Sequence, residues 1–342
     1  MKKEHFSLAL FLATAYAIYL LYSPFWMNII IAILLAISTY HMQSFFLKST
    51  KSNFFASLLS TTVLTLLFFA PLGYFLSQMT KLLRKIDISK IKTAEATIKE
   101  WLENVPSQMV PIKEYAEQII YKIDPASLSQ NAISYASKAG SFTLSFISSA
   151  LLILIFYFFA LYYAKDLYNF FIKLSNMPQS ESDFISKKMR CGMSVVFYSI
   201  LVTAIFEGIL FGLAVEYMGY NGLLFGIMYG FASLIPVVGG AIMWLPFALY
   251  ELSLGNLANA IFISLYTIIV ISIIADTFIK PIIIKLISTK IIKSKESLNE
   301  LVIFFAIIAG LATFGFWGMI LGPAITVLFI SLIKLNEFKQ SS

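Results

Sequence analysis

Long apolar runs separated by short polar stretches dominate the chain. Runs at 6–22, 24–40, 54–78, 142–164, 194–217 and 257–278 each approach the ~20 residues a helix needs to cross hydrocarbon. Two runs, 221–252 and 301–335, are too long for that. At ~1.5 Å per residue, about 30 residues would extend ~45 Å against a hydrocarbon core of ~30 Å. The first is broken by Ile235-Pro236-Val237-Val238-Gly239-Gly240, the second by Gly310, Gly315, Gly318 and Gly322-Pro323. Backbone freed by Pro and Gly inside a bilayer is tolerated only where protein or a water-filled cavity covers it, so both breaks point to an intramembrane site. The pattern predicts an all-α membrane protein with about six full transmembrane helices and two broken, re-entrant helical hairpins in inverted arrangement.

Residues 80–141 read differently, with charges of both signs and apolar positions at helical spacing. Ile98, Trp101, Leu102 and Val105 form one stripe; Ile112, Tyr115, Ile119, Ile120 and Ile123 form another, with Pro106 and Pro111 between them. Two amphipathic helices are expected, covering the protein or joining copies of it, with capture of substrate as the alternative. Asp124-Pro125 has the form of a helix start, with Pro at the first helical position, and the helix is expected to run on into the 142–164 span.

The placement of lysines orients these spans. Lys2 and Lys3, then Lys48 and Lys51, then Lys165, Lys173, Lys187, Lys188 and Arg190 fall on one side if every early span crosses once, and that side is the cytoplasm. Lys280, Lys285, Lys290, Lys293 and Lys295 join them only if 221–252 is a hairpin that enters and leaves from outside. Both termini are then cytoplasmic. The expected organisation is three scaffold helices over 1–79 and an extracytoplasmic helical segment over 80–141. A fourth span with a basic linker follows over 142–193, then a transport part carrying both hairpins over 194–335 and a tail over 336–342. The same glycines also fit a bundle of kinked full spans in which they allow close helix contact.

Composition narrows the function classes. Of 342 residues, 59% are hydrophobic and 13% charged, with a mean hydropathy of +0.84, which places the chain in lipid. The net charge of +7 resides in short linkers, with no basic helix or aromatic platform, so nucleic-acid binding is not expected. One cysteine and two histidines leave little for a metal site. The chain has no phosphate loop, no His-Glu-x-x-His and no Gly-x-Ser-x-Gly pattern, and an aspartyl dyad would need a second Asp beside Asp276 in the later spans. An enzyme and a cofactor are therefore not expected; a channel or a structural membrane scaffold is the rival to a carrier. The expected partners are the bilayer, a small polar solute or Na+ and H+, and further copies of the chain, since the first two spans are uniformly apolar.

Candidate residues follow from cost. Glu207 stands near the middle of an apolar span, where an ionisable group normally faces a cavity or a partner. It either couples transport to protons or is hydrogen-bonded to a neighbouring helix. Asp276 and Lys280 lie four apart on one helical face, as a structural ion pair or as a gate or cation site, with Pro281 beside them. Asn221 opens the first hairpin, and Pro236, Gly239, Gly240, Gly315, Gly318, Gly322 and Pro323 are corners that expose backbone groups able to hold an ion or polar ligand.

Ser233-Leu234-Ile235-Pro236-Val237-Val238-Gly239-Gly240, Trp244-Leu245-Pro246, Asp276 with Lys280-Pro281, and Phe314-Gly315 through Gly318 to Leu321-Gly322-Pro323 together resemble the autoinducer-2 exporter family of bacterial membrane proteins. The resemblance is strong over 194–335 and holds elsewhere in the pattern of spans. It implies an inner-membrane secondary transporter, which in some members exports the quorum-sensing furanone and in others exchanges sodium or lithium for protons. This chain departs from the pattern at Thr277, where many relatives have Asn, and at Glu207, where an amide is usual.

Overall fold

The computed structural model describes residues 3–83, 125–235, 238–292 and 299–341. The described residues form helices and contain no strand. In chain order the helices are α1 (Lys3–Tyr22), α2 (Trp26–Ser38), α3 (Tyr40–Thr50), α4 (Asn53–Leu83), α5 (Pro125–Tyr162), α6 (Ala164–Ser175) and α7 (Gln179–Tyr217). Then come α8 (Gly222–Ala232), α9 (Val238–Ser253), α10 (Leu257–Tyr266), a π-helix (Thr267–Ile279), α11 (Lys280–Leu286), α12 (Glu300–Phe314) and α13 (Gly318–Ser341). Among the described residues six runs are long and apolar enough to cross a membrane: His5–Ser38, Asn53–Gln78, Leu144–Tyr162, Gln179–Tyr217, Leu257–Lys290 and Leu301–Asn336.

These six are divided differently from the six drawn from hydropathy. The spans expected at 6–22 and 24–40 form one helical run, interrupted only by a 3-10 turn at Ser23–Phe25. Pro24 sits at the start of that turn, where its missing N–H leaves no bond unmade. Pro125 does open α5, which continues unbroken to Tyr162. The two amphipathic stripes expected before it lie within 84–124, outside the described residues.

Both overlong runs double back on themselves. In the second, a Cβ on Gly318 would stand 1.8 Å from the carbonyl oxygen of Gly310, and one on Gly322 would stand 1.9 Å from that of Ala306. Partners that move apart by four residues in opposite directions define antiparallel helices in backbone contact. Gly315, with φ of +65°, ends α12 and a 3-10 turn at Gly315–Trp317 starts the return. In the first run, Phe225 packs edge-on against Phe247 with ring centres 5.0 Å apart, and Tyr220 packs against Tyr250 at 6.4 Å. Nearer the turn, a Cβ on Gly239 would meet the Ala232 carbonyl oxygen at 1.8 Å. In lipid, helices gain nothing from hydrophobic exclusion of water, so this backbone-level packing is what holds such pairs together.

The chain divides into two compact units. One comprises Met1–Leu64, Ile147–Phe197 and Leu298–Ser342, the other Thr65–Phe146 and Tyr198–Ser297. This grouping cuts across the organisation drawn from the sequence, because the second hairpin packs with the amino-terminal helices, where α13 lies on α2. The first unit is fixed by buried hydroxyls: Thr39 Oγ1 bonds Tyr157 Oη at 2.7 Å, Ser194 Oγ donates to the Ser38 carbonyl at 2.6 Å, and Gln43 links Ser57 and Ser60 at 3.0 and 2.8 Å. The core of the second gathers Phe211, Val215, Tyr229, Phe247, Ile263 and Ile271.

The Gly310–Gly318 crossing leaves no room for a side chain. Gly318→Ala is expected to lower stability by roughly 1–3 kcal/mol, because helices in backbone contact must separate. Gly73, inside α4, has nothing within 4 Å of its added Cβ, so Gly73→Ala should raise stability by about 0.5–1 kcal/mol. Thermal unfolding of the purified protein in one detergent compares the two directly.

Candidate functional site: a buried carboxylate beside the first hairpin

The site is built on α7. Ala204, Gly208 and Gly212 recur every four residues there, and Gly230, Gly226 and Gly222 do the same on α8. Added Cβ atoms would lie 3.0 Å from the Ala204 oxygen at Gly230, 2.6 Å from the Gly226 oxygen at Gly208, and 2.6 Å from the Gly222 oxygen at Gly212. The first hairpin is therefore pressed along α7 by a ladder of small residues. Glu207 occupies the position next to Gly208, so the tight seam carries its carboxylate into the protein, where only 6% of the side chain is exposed.

Lys280 answers it. Its Nζ donates to Asp276 Oδ1 at 3.1 Å and lies 3.8 Å from Glu207 Oε1. Asp276 and Lys280 each keep 42% of their side chains exposed, so the group grades from a buried carboxylate to a half-exposed ion pair. Asp276 and Ser233, the latter at the turn of the hairpin, are the other polar neighbours of Glu207. Tyr229 is buried below, stacked on Phe211 at 4.5 Å, with its hydroxyl 2.7 Å from where a Gly240 Cβ would stand. Asp276 belongs to the 13-residue π-helix Thr267–Ile279. In that wide helix Thr267, Ile271 and Ala275 form the buried stripe, and the N–H of Lys280 bonds the carbonyl of Ala275, five residues back. π-Helical backbone is rare, and where it interrupts an α-helix it frequently sits at a functional site.

The structure sorts the residues chosen from sequence into separate places. Glu207, Asp276 and Lys280 come together, with Gly239, Gly240 and Ser233 at the adjoining turn; Pro281 begins α11 beside Lys280. Asn221 is elsewhere: its Oδ1 caps α8 through the Leu224 N–H at 2.9 Å and its Nδ2 bonds Tyr74 Oη at 3.2 Å, so it serves the open end of the hairpin. Gly315, Gly318, Gly322 and the buried Pro323 belong to the second hairpin, in the other unit. Pro236 lies outside the described residues.

Two groups of residues escaped the sequence reading. Ser199 and Thr203 precede Glu207 by eight and four positions on the same helical face, both buried, and their hydroxyls have no hydrogen-bond partner among the described residues. The four-residue step toward Glu207 was the available signal. Glu251, fully buried, closes the open end of the first hairpin: Tyr220 Oη, Asn256 Nδ2 (3.2 Å) and Asn259 Nδ2 (2.9 Å) all donate to its carboxylate. A lone acid in an apolar run, followed by two asparagines, marks such a lock. Among the described residues no three His, Cys, Asp or Glu side chains gather as a metal-holding group.

Six helices among the described residues that are long and apolar enough to cross a membrane make this a multi-pass membrane protein, with a charged group buried beside a glycine-packed hairpin. The model of the AI-2E family transporters matches residues 6–336, and the chain belongs to that family. Two Helicobacter pylori proteins, from strains 26695 and J99, are each 36% identical to it over 341 residues; these cover 98% of this chain and 97% and 96% of theirs. A Treponema pallidum protein is 31% identical over 153 residues, 43% of this chain and 33% of its own. All three carry the description "Putative transport protein".

The Glu251 lock makes a separable prediction. Glu251→Ala leaves three donors without their acceptor, and the expected loss is roughly 1–3 kcal/mol, with faster amide exchange across 222–253. Burial and donation to Glu251 push the Tyr220 phenol above its usual value of 10.0. The stability this bond adds is thus complete below pH ~10 and lost as pH rises through the higher folded-state value. Unfolding measured against pH in wild type and Tyr220→Phe should show that alkaline loss in wild type only.

Proposed function

We propose that this membrane transporter is a secondary carrier of the bacterial inner membrane, with a cytoplasmic carboxyl terminus, that exports a small polar solute of the autoinducer-2 kind by alternating access. The observation that carries this reading is the buried Glu207 carboxylate with Lys280 at 3.8 Å and Asp276 beyond it. Two carboxylates and one ammonium leave a net charge of −1 in a segment where an uncompensated charge is expensive. One proton or one monovalent cation balances it. A group that alternates between those states at the turn of a hairpin can tie the movement of a solute to an ion gradient. Both overlong runs then act as re-entrant hairpins, the first from outside and the second from the cytoplasm, and small-residue contacts let them move as stiff pairs.

A second reading, exchange of sodium or lithium for protons, draws on the oxygen-rich surroundings of the same carboxylate. Glu207 and Asp276 supply charge, and the hydroxyls of Ser233 and Thr203 are hard, neutral donors of the sort small cations accept.

In proteoliposomes, Glu207→Gln is expected to abolish solute accumulation driven by a pH gradient while passive exchange of solute persists; undiminished coupling would overturn the reading. Single substitutions Asp276→Lys and Lys280→Asp should each stop coupled flux. The double exchange should recover the fold without recovering coupling, since Lys280 also faces Glu207. Full recovery of transport would make the pair a purely structural brace.

A further inference from the structure

Helix α6 (Ala164–Ser175) has no buried residue. It joins the end of one apolar crossing helix, Leu144–Tyr162, to the start of another, Gln179–Tyr217. Tyr163, with φ −95° and ψ 16°, bends the chain out of α5, and Asn176, with φ +53°, ends α6 in a left-handed turn. Twelve residues span only ~18 Å. A helix this short, with both ends tied to crossing helices, lies along the membrane face instead of passing through it.

Its sequence divides into three arcs at about 100° per residue. Tyr168 and Ile172 are half-buried and form the arc turned to the protein, where Tyr168 Oη donates to Asp183 at the start of α7. Burial and that bond push the Tyr168 phenol above its usual range. Lys165, Asp166, Asn169 and Lys173 form a polar arc, all exposed. Leu167, Phe170, Phe171 and Leu174 form the third arc, exposed by 36%, 60%, 56% and 70%. Two aromatic rings and two leucines on a helix tied down by only one side need a cover.

What covers them is shown by continuity. The uncovered arc follows directly on the exposed apolar side chains of the crossing helix that precedes it, Ile155, Phe159 and Tyr162, and on Tyr163 at the bend. Those side chains are exposed on a helix long and apolar enough to cross a membrane, where lipid tails would cover them, and the apolar arc continues that exposed surface past the end of the crossing helix. Lys173, toward the edge of the polar arc nearest Phe170, can lay its alkyl stem on the apolar boundary, while Lys165, at the other edge, reaches outward from the side of the helix away from the apolar arc. An aromatic-rich apolar face beneath a polar arc that carries two lysines is the arrangement that beds in an interface and attracts negative headgroups.

We infer that α6 is an in-plane interfacial helix whose Leu167/Phe170/Phe171/Leu174 arc is embedded among phospholipids and whose Lys165 and Lys173 bind the phosphates of anionic lipids. This does not depend on the identity of the solute or on coupling at Glu207.

The test uses full-length protein in nanodiscs, with Cys191, the chain's one cysteine, replaced by alanine and a nitroxide placed in turn at Asn169, Phe170 and Leu174. Labels at 170 and 174 are expected to relax with oxygen, which concentrates in lipid, and the label at 169 with a water-soluble nickel complex. Nickel access at 170 and 174 equal to that at 169 would overturn the inference, as would dipolar broadening at 170 and 174 that shows a second copy of the chain covering the arc. In the same nanodiscs the wild type should retain phosphatidylglycerol over phosphatidylcholine, and Lys165→Gln or Lys173→Gln should each reduce that preference about fivefold. Unchanged retention in the double variant would overturn the headgroup assignment.

Discussion

Backbone-to-backbone contact between helices is the constraint on which this architecture rests. Where lipid surrounds the protein, a chain that reverses direction must keep its turn covered and its helices close, because water can neither satisfy the turn nor drive the helices together. Glycine solves both parts. Along α7 and α8, and again between α12 and α13, the missing Cβ atoms bring carbonyl oxygens to distances at which any larger residue would collide. The hairpins follow from that contact, and the position of Glu207 follows from the hairpin. Glu207 lies on the same buried side of α7 as Gly208 and is closed off from lipid once α8 is seated, so its charge must be met from within.

The way it is met gives the site its character. Lys280 serves two carboxylates at unequal distances, held on a helix of unusual width. The asymmetry in exposure leaves one carboxylate inside and the other half-open. Such a cluster responds to small shifts of either helix, since a change of 1 Å alters the balance of two ion pairs at once. By contrast, the carboxylate of Glu251 is met by three neutral donors at the opposite end of the same hairpin, an arrangement that fixes structure and carries no net exchange.

Much of this was legible in the sequence because hydropathy and punctuation are strong signals in a membrane chain. Run length exposed the two overlong segments, and Pro and Gly placed their turns near Gly239 and Gly315. The isolated acid Glu207 and the four-residue spacing of Asp276 and Lys280 named the charged group. That all three meet in space was not legible, since it depends on which face of α7 the hairpin covers. The ladder Ala204-Gly208-Gly212 against Gly222-Gly226-Gly230 would have revealed that face, had the small residues been read as a contact surface and not only as corners. Asn221 was chosen for its place at the start of a broken run; in the structure its side chain caps α8. The π-helix left no mark on the apolar sequence that encodes it, because side-chain periods of 3.6 and 4.4 residues cannot be told apart where every face is greasy. The grouping of the second hairpin with the amino-terminal helices likewise depends on contacts between residues far apart in the chain.

The hairpin contacts also carry a kinetic meaning. Gly310 meets Gly318 only eight positions later, Ala306 meets Gly322, and Ala232 meets Gly239. Loops this short are closed at little entropic expense and within the time a few further residues are synthesised. Each pair can zip from its turn outward before the next helix emerges from the ribosome. Assembly then reduces to docking preformed staples, and the slow search for distant partners is confined to a few helix faces.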